Sequence, residues 1–185
     1  MRLGLLLLLL GLVGITWWAS QPEPLQATLS SNDKDQIKDY FVEGLKLKQF
    51  DPRGNLSHVL EAQQLQHYLG SGITDLTLPI YTLYDQKHPQ SVVQAETGEL
   101  SKDHSQLKLQ GTTFIDWKGN DQRPAMNMLT SDLTIYPQRE YAETSAAVTV
   151  ISEQNWIESV GMQAWLKSPG RIHFIAQTRA HYVAQ

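Results

Sequence analysis

Apolar and polar residues alternate at intervals of two over much of the chain beyond residue 36, and this period constrains the fold more than any other feature. The segment GLKLKQF places Leu45 and Leu47 on one face and Lys46 and Lys48 on the other. No long amphipathic helical pattern follows anywhere in this part of the sequence. A period of two is typical of half-buried strands, so the pattern predicts a β domain.

Turn signals separate these strand-like runs. In DPRGN, Pro52 fixes φ at the second position of a turn, and Gly54 tolerates the positive φ that a reversal requires. Further runs include LSHVLEA, SVVQAE, QLKLQGTTFIDW, NMLTSDLTIY, AETSAAVTVI, WIESVGMQAWL and RIHFIAQTRAHYV. Short strands at regular spacing predict an all-β sandwich or roll over residues 37–185.

One of these runs contains a proline. Strict alternation through TDLTLPIYTLYD places Leu76, Leu78 and Ile80 on one face. Pro79 lacks the N–H that a central strand donates, so we expect this strand at a sheet edge or at a bulge.

The first 19 residues have the composition of a membrane segment. From Leu3 through Leu10 to Ala19, 17 residues carry no charge, and a helix of that length spans roughly 25 Å. Trp17 and Trp18 then indicate an interfacial aromatic belt. The alternative is a cleaved signal peptide, but the basic n-region is minimal and bulky Trp17 disfavours a cut after Ala19.

We therefore expect residues 1–19 to be a retained single-span transmembrane helix. Arg2 lies on one side of it, and no basic residue follows on the other side until Lys34. Positive charge favours the cytoplasm, which orients the rest of the chain outward. Residues 20–36 are polar with two prolines and predict a flexible stalk.

Composition excludes several kinds of partner and site. The formal net charge is −4 and the chain has no cysteine. An acidic domain offers no basic footprint for nucleic acid. The absence of cysteine excludes disulfides, thiolate metal sites and a lipid-modified cysteine.

Motifs for catalysis or metal binding are not found in the sequence. LGSGI lacks the spacing of the G-x-S-x-G elbow, and no G-x-G-x-x-G or phosphate loop occurs. His58 and Glu61 fall on opposite faces of a strand, and His173 and His181 are eight residues apart. We therefore expect no enzyme activity, no cofactor and no metal.

The order of motifs resembles one family along nearly the whole chain. An N-terminal anchor and a polar stalk precede FDPRGNLSHVLEAQQLQHY, LTLPIYTLYD, AETGELSKDHSQLKLQGTT, LTSDLTIYPQREYAETSAAVTV, WIESVGMQAWL and TRAHY. This succession resembles the LptC family, the membrane-anchored component of lipopolysaccharide transport in Gram-negative bacteria. Soluble bridge proteins of the same system share the A-x-x-G-x-L and L-x-L-x-G units but have cleaved signals.

The resemblance implies a periplasmic β-jellyroll held at the inner membrane by one transmembrane helix. Such a domain binds lipopolysaccharide in a hydrophobic groove. It receives the lipid from an inner-membrane ABC transporter complex with its permease subunits and passes it to a periplasmic bridge protein. Neighbouring jellyrolls join edge to edge, and the chain itself has no ATP-binding loop.

The resemblance also implies site residues. The groove that it predicts is lined by seven aliphatic residues: Leu45, Leu47, Leu56, Leu60, Leu76, Leu78 and Ile80. Leu76 stands where relatives can have a lipid-contacting aromatic, which is a departure from the family pattern. Lipid phosphates would remain in solvent or meet rim cations such as Lys46, Lys48 or Arg53.

Four further positions match turns or docking elements of the family. Gly54 corresponds to the glycine of the first turn, and Gly161 to the glycine that precedes the last strands. Arg179 and Tyr182 lie on the C-terminal strand expected to pair with the next bridge component. The alternative for that strand is that it pairs internally and ends the fold.

Periodicity does not separate a lipid groove from a filled core. The alternative function is therefore a membrane-tethered scaffold domain without a lipid ligand.

Overall fold

The computed structural model describes residues 37–85, 88–119, 124–166 and 170–183. The predicted anchor and stalk, residues 1–36, lie outside the described residues. The described residues form eleven strands and a short 3-10 helix at Pro137–Arg139. The strands are β1 Lys38–Phe50, β2 Leu56–Tyr68, β3 Thr74–Thr77, β4 Ile80–Asp85, β5 His88–Gln94, β6 Thr97–Leu100, β7 Leu107–Trp117, β8 Met126–Tyr136, β9 Tyr141–Ser152, β10 Asn155–Trp165 and β11 Arg171–His181.

The eleven strands form one antiparallel sheet whose spatial order largely follows the chain. β2 pairs with β1 on one side and with the short strands β3 and β4 on the other. β3 pairs with β6 and β4 pairs with β5, and both β5 and β6 pair with β7. β8, β9, β10 and β11 then follow in sequence. The predicted all-β fold is confirmed.

Apolar residues from distant parts of the sheet share one core. Tyr81, Val93 and Ile115 are neighbours on β4, β5 and β7. Ile135 and Ala142 are neighbours on β8 and β9. All five belong to the same buried cluster, so the sheet curls over and packs one face against itself. The strand period of two directs alternate side chains into this interior.

Two glycines bend the sheet where it curls. Gly111 in β7 has φ +78 at a register shift between Gln110 and Thr113. Gly161 in β10 has φ +80 at a shift between Val160 and Met162. A bulge increases local twist and bends its strand, and glycine adopts the positive φ without strain.

The structure corrects the expectation for TDLTLPIYTLYD. The run breaks into β3 and β4 at Leu78, which has φ +49, and the Leu78 N–H donates to the Glu96 carbonyl. A one-residue irregularity exchanges the two faces of a strand. Leu76 therefore lies in the core while Leu78 is 52% exposed, and the core position after the break is Tyr81 rather than Ile80.

Of the two expected positions for this strand, a sheet edge or a bulge, the edge is wrong, and the structure has an irregularity beside Pro79. β3 and β4 lie between β2 and the pair β5 and β6. The Pro79 side chain is fully buried, and its carbonyl accepts a hydrogen bond from the Ala95 N–H. The proline is tolerated inside the sheet because the chain breaks at that point instead of continuing the ladder.

Candidate functional site

An apolar crevice enters the curled sheet between two of its walls, and we call it the interior crevice. One wall comes from β4, β5, β7 and the start of β8, and the other from the end of β8 and from β9, β10 and β11. The space between its facing side chains has a cavity volume of only about 40 Å³, and the empty volume reaches about 630 Å³ when the open solvent at the mouth is included. The lining residues are Tyr81, Leu83, Ser91, Val93, Ile115, Trp117, Met126, Met128, Leu133, Ile135, Ala142, Met162, Ala164, Trp165, Leu166, Gly170, Arg171 and Ile172.

Methionine is concentrated in this crevice. The chain has four methionines, and Met126, Met128 and Met162 all line the interior crevice. Methionine is unbranched and adapts its shape, so it is frequent at surfaces that accept varied apolar ligands. The space between facing side chains is narrow, and side chains that move easily are what would allow it to widen.

Burial favours the uncharged forms of two polar side chains, Tyr81 in the crevice lining and His58 beside it. Burial raises the pKa of the Tyr81 phenol well above its ordinary range. His58 is 8% exposed, and its ring centroid lies 5.2 Å from that of Tyr81. Burial lowers the pKa of the His58 imidazole, because a low-dielectric environment disfavours the charged form. The interior is therefore suited to hydrocarbon.

The structure does not assemble the predicted groove residues around this crevice. Leu60 and Leu76 are buried in the core cluster, and Leu45 packs against it. Leu47 and Leu78 are about half exposed, while Leu56 and Ile80 are half-buried. None of the seven lines the interior crevice. Sequence reasoning favoured the N-terminal strands, whereas the crevice uses β4, β5 and β7 to β11. The methionines were the available signal, although the sequence alone does not show that they share one space.

None of the predicted rim cations lines the crevice, although one of them lies beside it. Lys46 Nζ is 2.7 Å from Glu61 Oε1 across β1 and β2, and Arg53 Nε is 3.7 Å from Asp51 Oδ2 within the first turn. Lys46, Lys48 and Arg53 are absent from the crevice lining. Arg53 and Glu140 line a neighbouring pocket that shares Leu83 and Leu166 with the crevice. Among the described residues that line the crevice, the one charged side chain is Arg171.

Both edges of the sheet are open within the described part of the chain. β1 pairs only with β2, and β11 only with β10. Large apolar side chains are exposed on or beside both strands: Tyr40, Phe41, Leu47, Phe50, Ile175 and Tyr182. An unpaired strand edge is a template for pairing with another chain. β11 thus pairs internally on one side and leaves its other side free for a partner.

The docking residues predicted on β11 stand at this free edge. Arg179 is exposed opposite Glu158 of β10, and Tyr182 follows the end of the strand and is 76% exposed. Between them and Gly161, the Ser159 hydroxyl donates to the Ala176 carbonyl over 2.9 Å and contacts the Thr178 hydroxyl at 3.1 Å. These bonds fix a second register shift, in which Gln177 has φ +51.

The other glycine predicted from the family pattern, Gly54, lies in the turn between β1 and β2. Gly54 has φ +82, and its N–H donates to the Asp51 carbonyl. Asp51 Oδ1 accepts the N–H groups of Asn55 and Arg53. These hydrogen bonds, that of Asn55 above all, hold the pKa of the Asp51 carboxyl below its usual value. The same hydrogen bonds stabilise the turn in which β1 ends.

Three aromatic side chains, which we call the aromatic row, cross the outer face of β8, β9 and β10. Ring centroids are 5.7 Å apart for Tyr136 and Tyr141, and 5.4 Å apart for Tyr141 and Trp165. Both tyrosine hydroxyls donate to Glu143, over 3.0 and 2.8 Å. Partial burial and then this hydrogen bond raise the pKa of Tyr141 to about 12.

Metal clusters and membrane-spanning helices are both missing from the described residues. These residues contain no group of three acidic, histidine or cysteine side chains placed to hold a metal ion. They also contain no helix with the length and apolar character needed to cross a bilayer.

Comparison with known families decides the classification. The model of the family described as "Lipopolysaccharide-assembly, LptC-related" matches residues 3–183. The chain belongs to the LptC family. Membership in the LptC family supports a part in lipopolysaccharide transport, and it agrees with the resemblance drawn from the sequence. No curated protein matches the chain.

A solved structure shows the same fold as this LptC-family chain. LptH from Pseudomonas aeruginosa, described as the LptA-homologous periplasmic component of the lipopolysaccharide transport device, superposes with a TM-score of 0.55. Sequence identity is 9%, and the match covers 69% of this chain and 95% of that one. At this identity the likeness concerns the fold, which is of the LptA-like β-jellyroll type.

Proposed function

We propose that this domain binds the acyl chains of lipopolysaccharide in the interior crevice and relays the lipid through the periplasm. The lipid would come from an inner-membrane ABC transporter and pass to a periplasmic bridge protein. The observation on which the proposal depends is the methionine-rich crevice inside a jellyroll whose two edges are open. Family membership supports the transport role.

Shielding of the tails is the physical requirement that the crevice would meet. Moving an acyl chain from a bilayer into water costs ~0.8 kcal/mol per CH₂, so one tail of twelve to fourteen carbons costs on the order of 10 kcal/mol. The crevice replaces that water with Ile115, Trp117 and the methionines. Because the crevice is narrow without a ligand, binding would require Met126, Met128 and Met162 to change rotamer and so make room between the two walls.

Transfer between similar domains would be nearly isoenergetic. Each jellyroll offers the tails a comparable apolar environment, so direction must come from a partner that hydrolyses ATP. The open edges of β1 and β11 are suited to joining such domains by strand pairing. A continuous sheet would align one interior with the next.

The N-terminal segment would hold this domain at the inner membrane. We propose that residues 1–19 remain as a single span and that residues 20–36 act as a stalk, with the domain in the periplasm. The uncharged run and the Trp17–Trp18 pair support the proposal.

Site-specific photo-crosslinking tests the lipid-binding proposal. Met126 and Met128 line the crevice, whereas Asn127 between them is exposed on the opposite face of β8. With a photo-crosslinking residue at each position in turn, we expect lipopolysaccharide adducts at 126 and 128 and not at 127. Adducts at none of the three positions in a folded, membrane-bound protein would favour the scaffold function instead.

The groove predicted from the sequence is tested in the same way. Leu76 and Leu78 are separated by the strand break, with Leu76 buried and Leu78 exposed. Lipid capture at these positions and not at 126 or 128 would place the ligand at the N-terminal half of the sheet and contradict the crevice as the site.

A further inference from the structure

Among the described residues that line the interior crevice, one carries a charge, and it stands at the mouth. The charged group is the side chain of Arg171, which is exposed at the start of β11. Next to it, Trp165 and Leu166 are half-buried and line the same mouth. An apolar space with an exposed cation at its entrance is complementary to an amphiphile whose head is anionic.

The guanidinium is held in place by stacking. Arg171 Cζ lies 4.2 Å from the centroid of the Trp165 ring. Stacking on an aromatic face leaves the N–H edge of a guanidinium available, and that planar edge matches the geometry of phosphate. In the described part of the chain no ion pair joins Arg171 to a carboxylate.

The aromatic row fixes the surface on which this arginine stacks. Trp165 contacts Tyr141, and the Tyr141 hydroxyl donates to Glu143. The Tyr136 hydroxyl donates to the other oxygen of the same carboxylate. Glu143 therefore accepts one phenol on each of its two carboxylate oxygens.

We propose that Arg171, stacked on Trp165, is the subsite that binds the phosphate nearest the acyl chains of the transported lipid. This inference rests on the proposed function, because it requires the tails to occupy the crevice. It assigns the headgroup contact to β11 and not to the cations predicted near β1. A tail in the crevice and a phosphate on Arg171 would also fix the orientation of the lipid, with its acyl chains inside the crevice and its headgroup at the mouth.

The chain offers a matched control. Arg139 Cζ lies 5.5 Å from the centroid of Tyr136 at the opposite end of the same aromatic row. Arg139 is exposed like Arg171 but does not line the crevice. Arg139→Gln and Arg171→Gln therefore remove the same charge from similar stacked settings and differ in whether the side chain lines the crevice.

The test uses the full chain in lipid nanodiscs with a photo-crosslinking residue at Met128. It is offered intact lipopolysaccharide, or lipopolysaccharide whose phosphates have been removed by a phosphatase and whose acyl chains are unchanged. A phosphate bonded to a guanidinium at a partly exposed site favours the intact lipid by roughly tenfold. We expect Arg171→Gln to lose this preference and Arg139→Gln to keep it, with inorganic phosphate alone failing to displace the lipid.

The outcomes separate this inference from the proposed function. Equal capture of both lipids by the unsubstituted chain would overturn the phosphate subsite and leave tail binding intact. The same conclusion would follow if Arg139→Gln lost the preference for the intact lipid as fully as Arg171→Gln. Displacement of the lipid by inorganic phosphate would overturn it as well. Capture of neither lipid at position 128 would contradict the proposed function, and the subsite with it. The comparison of two lipids on the unsubstituted chain remains decisive even if Arg171→Gln does not fold.

Discussion

Gly161 of β10 lies directly against Ile175 of β11, the strand at the open C-terminal edge. A Cβ atom built on Gly161 would come within 3.1 Å of Ile175 Cβ and 3.0 Å of Ile175 Cδ1. Gly161 also has φ +80, a conformation that costs other residues of order 1–3 kcal/mol. The position of the edge strand thus depends on the absence of a side chain at residue 161.

We predict that Gly161→Arg displaces β11 and weakens docking of the bridge protein at that edge by at least tenfold, while lipid capture at Met128 persists. Gly54→Arg is the control, because Gly54 has φ +82 but a Cβ atom added there would meet no other atom within 4 Å. Affinity for the purified bridge protein, measured by biolayer interferometry, checks this. Unchanged docking in Gly161→Arg would show that β11 is not the docking edge.

The break at Pro79 gives a stability prediction. Leu76 is 2% exposed and Leu78 is 52% exposed, so the same Leu→Ala change has different consequences at the two positions. We expect Leu76→Ala to reduce the free energy of unfolding by ~2–5 kcal/mol, and Leu78→Ala by about 0.5 kcal/mol. Denaturant unfolding measures both. Equal losses would mean that the alternation continues through the proline.

The turn between β6 and β7 predicts an acid-sensitive contribution to stability. Asp103 Oδ1 accepts hydrogen bonds from the hydroxyls of Ser105 and Ser101 and from the Ser105 N–H. These bonds lower the pKa of the Asp103 carboxyl from 3.8 to about 2. Because the folded pKa is depressed, the stabilisation is complete above the unfolded value and is lost as the pH falls toward the folded one.

Asp103→Asn should therefore be less stable than the unsubstituted chain at pH 7, and the difference should shrink between about pH 4 and pH 2. Thermal unfolding midpoints across this range measure it. A difference that stays constant down to pH 2 would contradict the role of the carboxylate charge.

The N-terminal proposal is tested by the mass of the mature protein. A retained anchor predicts that the protein extracted from membranes still contains residues 1–19, because Trp17 disfavours cleavage after Ala19. Intact-mass spectrometry measures this directly. A mature chain that begins near Ser20 would identify the segment as a cleaved signal.

The sequence was sufficient to predict the strands but not to locate the crevice, and both outcomes have physical reasons. Alternation such as that of β7 and β8 is local, so it predicts strands without any knowledge of their neighbours. Which face of a strand turns inward depends on bulges, and the residues at these bulges contact distant parts of the chain. The Leu78 N–H donates to the Glu96 carbonyl, and Gly161 lies against Ile175 of β11.

The placement of the crevice is a non-local property. Trp117 at the end of β7 and Ile172 near the start of β11 line it together, although three strands lie between β7 and β11 in the sheet. Only the curl of the sheet brings them together. The methionines at 126, 128 and 162 were visible in the sequence, but nothing local shows that they share one space.

The methyl groups of those methionines provide the most direct measurement of the central claim, that acyl chains occupy the interior crevice. In the full chain in nanodiscs with ¹³C-labelled methionine methyls, Met126, Met128 and Met162 report on the crevice, and Met1 is the reference outside the domain. With saturating lipopolysaccharide, we predict nuclear Overhauser effects from all three crevice methyls to acyl methylene protons. A lipid-saturated domain whose three methyls show no such contact and no change in chemical shift would contradict the account.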